Sequence, residues 1–114
     1  MMVKIKDDMV GQVDKKGNIS KKITDNDKTK LEKGNIIAKQ ILIKAGVDPN
    51  SIIIAKPRGA HPGGTAAIGD IVDKNHETKI KNLFVCDASV LPESPGLPPI
   101  LTIIALAKRL AKIL

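Results

Sequence analysis

The sequence predicts an α+β fold that lacks a complete core of its own. Three observations predict it: an N-terminal hairpin pattern, a capped amphipathic helix, and a closing helix that is apolar nearly all round. A chain of 114 residues can form one domain with a modest core. Hydrophobic residues make up 42%, enough to fold, but aromatic residues make up 1%, all of it Phe84. The core must therefore be built from Ile, Leu, Val and Ala.

Residues 2–23 are expected to form a β-hairpin. MVKIK and MVGQV favour extended backbone, DKKGN is a turn signal, and ISKKI alternates after it. Residues 25–45 are expected to be a helix. Thr24 is a suitable N-cap, and Asp27 three residues on completes a capping-box pattern. Leu31, Ala38, Ile41, Leu42 and Ala45 share one face, and Gly46 stands where a C′ glycine belongs. Gly34 inside this helix costs about 1 kcal/mol relative to Ala unless another part of the chain packs close.

SIIIA at 51–55 is expected to be a short strand, and LFVC at 83–86 a buried one. Two irregular segments, KPRGAHPGGTAAIG and DASVLPESPGLPP, are rich in Gly and Pro. Between them, DIVDKNHETKIKN reads as a polar surface excursion, with His76 expected to face solvent. ILTIIALAKRLAKIL closes the chain as a helix, with Pro98 and Pro99 at its start, where a missing N–H does no harm. Its first half is apolar on every side, so it is expected to be buried all round. One hairpin and one other helix cannot surround it. Either the chain self-associates or it docks on a larger body.

The balance of 19 Lys+Arg against 12 Asp+Glu gives a net charge of +7. The lysines are scattered among aspartates, only Arg58 and Arg109 are arginine, and no aromatic platform for bases exists. These features argue against nucleic-acid binding. A non-enzymatic basic interaction module remains the competing class, with polyanion affinity that falls steeply with salt. The N-terminus has no apolar signal-peptide region, no run is long enough to span a bilayer, and Cys86 is the single cysteine. A cytoplasmic location is expected.

The chemistry-bearing residues are few. His61 opens HPGGTAAIG, and it can exchange a proton near neutral pH. Read alone, a histidine in such a loop is more often structural than catalytic. Asp87 ends the strand-like LFVCD, a position suited either to ligand contact or to capping the following loop. Cys86 has no base beside it in sequence to activate a thiolate. The last helix offers N–H groups from Ile100 and Leu101 at its start. With two histidines and one cysteine, no metal site is expected, and no glycine-rich phosphate loop occurs.

HPGGTAAIG fits the pattern H-x-x-G-T-x-x-x-G, and NLFVCDASVLP and SPGLPPILTIIALAKRLA follow it in order. This arrangement closely resembles the C-terminal end of the glucose-methanol-choline (GMC) oxidoreductases, flavoenzymes that oxidise alcohols. The match is most specific over residues 56–114. Residues 1–55 are compatible with the end of that family's substrate domain.

The resemblance implies that His61 faces the substrate and takes its hydroxyl proton while hydride passes to FAD. It implies that Asp87 and Ala88 line the cofactor, and that Pro99 and Ile100 present a helix N-terminus to the edge of the flavin ring. It also implies that the strand and last helix return to a flavin-domain sheet. The partner would be an FAD-binding half or a neighbouring gene product, and the substrate a small alcohol. A separately encoded subunit, a piece of a split gene and a free-standing remnant are the alternatives for the chain itself. Two departures stand out. The second His or Asn usual in the family is replaced by Pro98, or by Leu97 if the alignment slips by one. The methionine frequent in the glycine loop is Ile68.

Overall fold

A computed structural model describes residues 1–114. Two helices and one two-stranded antiparallel sheet make the chain α+β. Strand β1 (Gln12–Val13) pairs with β2 (Ile19–Ser20), with Gln12 opposite Ser20 and Val13 opposite Ile19. The turn is held by Asp14, whose Oδ1 accepts from the Lys16 and Asn18 amides, both at 2.8 Å. Gly17 takes φ of +81°, the left-handed conformation that lets the loop close. Only the hairpin tip is paired. MVKIK forms no strand and instead runs back across the first helix.

Helix α1 (Asp25–Lys44) starts as its sequence requires. Thr24 Oγ1 accepts from the Asp27 amide at 3.1 Å, and Asp27 Oδ2 accepts from the Thr24 amide at 3.3 Å, a complete capping box. Asp27 also accepts from the Asp8 amide at 2.9 Å through Oδ1. That contact buries Asp27 to 2% exposure, and it ties the N-terminal segment to the helix start. The half-buried stripe is Leu31, Gly34, Asn35, Ala38 and Leu42, spaced for one face of a helix. Ile36, Ile37, Ile41 and Ile43 remain exposed. Gly34 has its packing reason: a Cβ there would collide with the Val3 side chain.

Between the helices the chain is mostly irregular. Of SIIIA, Ser51 ends a 3-10 turn over Pro49–Ser51 and residues 52–55 form no strand, because no neighbouring strand offers them hydrogen bonds. LFVC likewise is not a strand. Phe84 makes a single bridge to Glu77, and Phe84, Val85 and Cys86 are half-buried. A second 3-10 turn covers Ala88–Val90. Helix α2 (Ile100–Leu110) turns Ile103, Leu106 and Leu110 inward and leaves Ile100, Leu101 and Ile104 exposed. The all-round burial expected of it is not met within this chain.

The largest correction concerns His76. It is not a surface residue but is fully buried, at 0% exposure. The polar excursion is a built loop around it. Asp73 Oδ1 accepts from the Asn75 and Glu77 amides at 2.7 and 3.0 Å, which bends the chain so that His76 takes φ of +68°. Its ring Nδ1 then lies 3.2 Å from the Val85 carbonyl, while its own carbonyl accepts from the Val85 amide at 3.0 Å. A carbonyl only accepts, so Nδ1 carries the proton and Nε2 is a buried acceptor without a donor.

Ala66, Val72, Ala88, Val90 and Leu110 are the only buried hydrophobic residues apart from Pro99. The radius of gyration is 17.9 Å, against about 13 Å for a compact chain of this length. The accessible surface is 9005 Å², against about 6,000 Å² expected for this mass. The chain is elongated, and its apolar surface is mostly uncovered.

Candidate functional site

The HPGGTAAIG loop is seated on the Ala88–Val90 turn. The Gly64 and Ala66 amides both donate to the Ser89 carbonyl, at 3.1 and 3.0 Å, and the Ile68 amide donates to the Val90 carbonyl at 3.0 Å. A Cβ at Gly63 would stand 3.3 Å from the Ala88 carbonyl oxygen and 3.4 Å from that of Leu91. The two segments thus meet backbone to backbone, and the small residues of the loop permit it. His61 lies at the exposed end of this loop, and its imidazole makes no hydrogen bond to the rest of the chain.

Asp87 caps the turn rather than pointing free. Its Oδ1 accepts from the Ser89 amide at 2.7 Å. Hydrogen bonds from Ser89 hold its carboxyl below the usual carboxylate range, against a smaller opposing effect of burial. Ala88 is buried beneath Gly63. Burial pushes the Cys86 thiol up, and the charge of Asp87 adds to the effect. That side chain therefore stays protonated and is a poor nucleophile.

Pro99 is the N-cap of α2 and is itself buried, while Ile100 is exposed. No side chain caps this helix start. The first N–H groups are therefore left without a side-chain partner within the chain. The other end of α2 is fixed. Arg109 donates to the Lys74 carbonyl and to Asn75 Oδ1, the latter at 3.3 Å. The excursion loop therefore braces both α2 and Val85, two residues before Asp87. Sequence reasoning passed over this role of His76 and Arg109, because neither sits in a motif that signals it.

Of the residues singled out from sequence, the structure brings the His61 loop together with Asp87 and Ala88. Pro98 and Leu97 are exposed ahead of α2. A shallow groove lies elsewhere, between α1 and residues 54–57, lined by Ile23, Leu31, Ile36 and Ile54. No cluster of three metal-ligating side chains forms. No helix is long and apolar enough to cross a membrane.

The glycine loop, the turn after Asp87 and the helix that follows lie within a stretch of sequence that matches a flavin-type oxidoreductase family. The sequence model described as GMC oxidoreductase matches residues 8–107, and the chain belongs to that family as a C-terminal segment. It is 41% identical over 112 residues to the uncharacterized protein MJ1450 of Methanocaldococcus jannaschii, a match covering 98% of this chain and 28% of that protein. It is 58% identical over 33 residues to the GMC-type oxidoreductase y4nJ of Sinorhizobium fredii, covering 29% of this chain and 6% of that protein. Over 52 residues it is 44% identical to the neither inactivation nor afterpotential protein G of Drosophila melanogaster, covering 45% of this chain and 9% of that protein. The chain thus spans less than a third of the length of these relatives. No solved structure matches it.

Proposed function

We propose that the chain is the C-terminal part of an FAD-dependent oxidoreductase acting on CH–OH groups, with His61 as the proton acceptor. The observation that carries this reading is the seating of the His61 loop on the Asp87–Val90 turn by three backbone hydrogen bonds. It fixes the backbone beside an exposed imidazole. His61 takes the hydroxyl proton of a small alcohol on an imidazole nitrogen. Asp87 and Ala88 shape the turn that lines the cofactor. The N–H groups at Pro99–Ile100 and beyond face the ring edge, where they favour negative charge. FAD, when bound, supplies the hydride acceptor.

The cofactor pocket is shared with an FAD-binding half. The chain exposes about 3,000 Å² more surface than a compact protein of its mass, the scale of an obligate interface. Ile100, Leu101 and Ile104 on α2 lie on the face that this half would cover. In this reading residues 1–55 belong to a substrate-binding sheet, and residues 56–114 cross back to the flavin. The location is cytoplasmic, which suits a single protonated thiol.

Co-expression of the tagged chain with the product of the adjacent reading frame tests the proposal. A yellow complex with a flavin spectrum, absent when the chain is made alone, is expected. Within that complex His61→Ala is expected to slow flavin reduction by about 100-fold, the usual scale of a lost general base, while FAD remains bound. Equal reduction rates would remove His61 from its role. A colourless, folded chain in both preparations, with polyanion affinity that falls with salt, would favour the binding-module reading instead.

A further inference from the structure

We infer that residues Lys6–Met9 form a strap that sets the His61 loop against the loop preceding α2, with Lys6 as its positioning residue. The inference concerns how the proposed site is held, and to that extent it rests on the flavin reading. The strap is anchored on one side by helix α1. The Asp8 amide donates to buried Asp27, Asp8 Oδ2 accepts from Thr24 Oγ1 at 2.6 Å, and Lys30 Nζ donates to the Lys6 carbonyl at 2.9 Å. Asp8 Oδ1 accepts in addition from Asn26 Nδ2 at 2.8 Å.

The other edge of the strap touches both loops of the site. Lys6 Nζ pairs with Glu93 at 2.6 Å, and the Lys6 backbone nitrogen lies 3.3 Å from where a Cβ of Gly96 would stand. Met9 Cε lies 3.8 Å from the corresponding point at Gly64, three residues after His61. Asp7 pairs with Lys21 at 2.9 Å and faces the Ser94 hydroxyl. One four-residue segment therefore contacts the glycine of each loop while its backbone is pinned to a buried carboxylate. Neither loop has regular secondary structure to hold it. Beyond the backbone bonds that seat the His61 loop on the Ala88–Val90 turn, their spacing is set by what lies across them.

The Lys6–Glu93 pair is half-exposed, so its removal loosens the strap without unfolding the chain. Amide hydrogen exchange on the full 114-residue chain reads this directly. In Lys6→Met and in Glu93→Gln, exchange at Gly96 and Gly64 is expected to rise about 3-fold, the scale of one exposed pair. The Val85 amide, bonded to His76 away from the strap, is expected not to change. Lys6→Arg is expected to restore the parent rates. Unchanged Gly96 and Gly64, or an equal rise at Val85, would overturn the inference.

In the flavin-loaded complex, Lys6→Met is expected to lower kcat about 3-fold with FAD retained, and Lys6→Arg to rescue it. Altered exchange with unaltered kcat would reduce Lys6 to a structural residue and overturn its positioning role. A complex that never takes up flavin would sink the flavin reading, and the exchange result alone would then decide the strap.

Discussion

The Gly64 amide donates to the Ser89 carbonyl at 3.1 Å, and this bond joins the histidine loop to the turn that follows Asp87. The neighbouring Gly63 shows how tight the seat is. Its missing side chain would face two backbone carbonyls, Ala88 at 3.3 Å and Leu91 at 3.4 Å. Backbone atoms cannot swing aside as a flexible side chain does. Gly63→Val is therefore expected to lift the loop and destabilise it by about 1–3 kcal/mol. Faster exchange at the Gly64 and Ala66 amides would report the lift, and Gly63→Ala is expected to give a smaller effect of the same sign. Unchanged exchange in Gly63→Val would show that the loop is not seated on the turn.

His76 pins Val85 from both sides, through its ring and through its carbonyl. Removing the ring removes a hydrogen bond and opens a cavity, and it leaves a residue at φ of +68° that few side chains accept. His76→Ala is expected to cost about 2–4 kcal/mol, measured as a lower urea midpoint. His76→Asn, which tolerates the left-handed conformation, is expected to lose less. A nitrogen-15 spectrum of the imidazole is expected to show the proton on Nδ1. A proton on Nε2 instead would contradict the bond to Val85.

Acid is expected to release the strap. Partial burial tends to raise the Asp7 carboxyl, but the Lys21 ammonium and the Ser94 hydroxyl outweigh it and hold the group below the usual carboxylate range. Asp8 is held low by hydrogen bonds from Thr24 and Asn26, with Lys30 adding to them. Both groups bind protons less readily folded than unfolded. Their stabilisation is complete above about pH 4 and is lost as pH falls through the lower folded values. Carbon-13 titration of the two carboxyls is expected to give midpoints below those of an unfolded peptide. Midpoints at or above the peptide values would mean that these partners do not hold the carboxylates.

What was legible in the sequence was local. The Thr24–Asp27 capping box, the turn at Gly17 and the start of α2 after two prolines follow from rules spanning a few residues, and the structure contains all three. The family resemblance gave His61, Asp87 and Ala88 roles around a common cofactor, and the structure sets the Gly63–Ile68 backbone against the Ala88–Val90 turn. The strands at 51–55 and 83–86 were not recoverable in the same way. A β-branched run becomes a strand only against a neighbour, and this chain provides none. His76 was misplaced because polar composition normally marks a solvated loop. Here the polar neighbours turn their own backbone inward, and Asp73 bends the chain so that one imidazole lies beneath it. The strap was equally hidden, since it depends on contacts between residues 6–9 and residues more than fifty positions away.

One consequence reaches beyond catalysis, to anyone improving the stability of this chain. Replacing a mid-helix glycine by alanine is a standard way to strengthen a helix. At Gly34 the rule reverses, because the Val3 side chain occupies the place where alanine's methyl group would go. The helix gives up intrinsic strength so that the N-terminal segment can lie against it. A stabilising programme that treats α1 in isolation would displace the Val3 side chain from the helix. Position 34 can be strengthened only together with position 3.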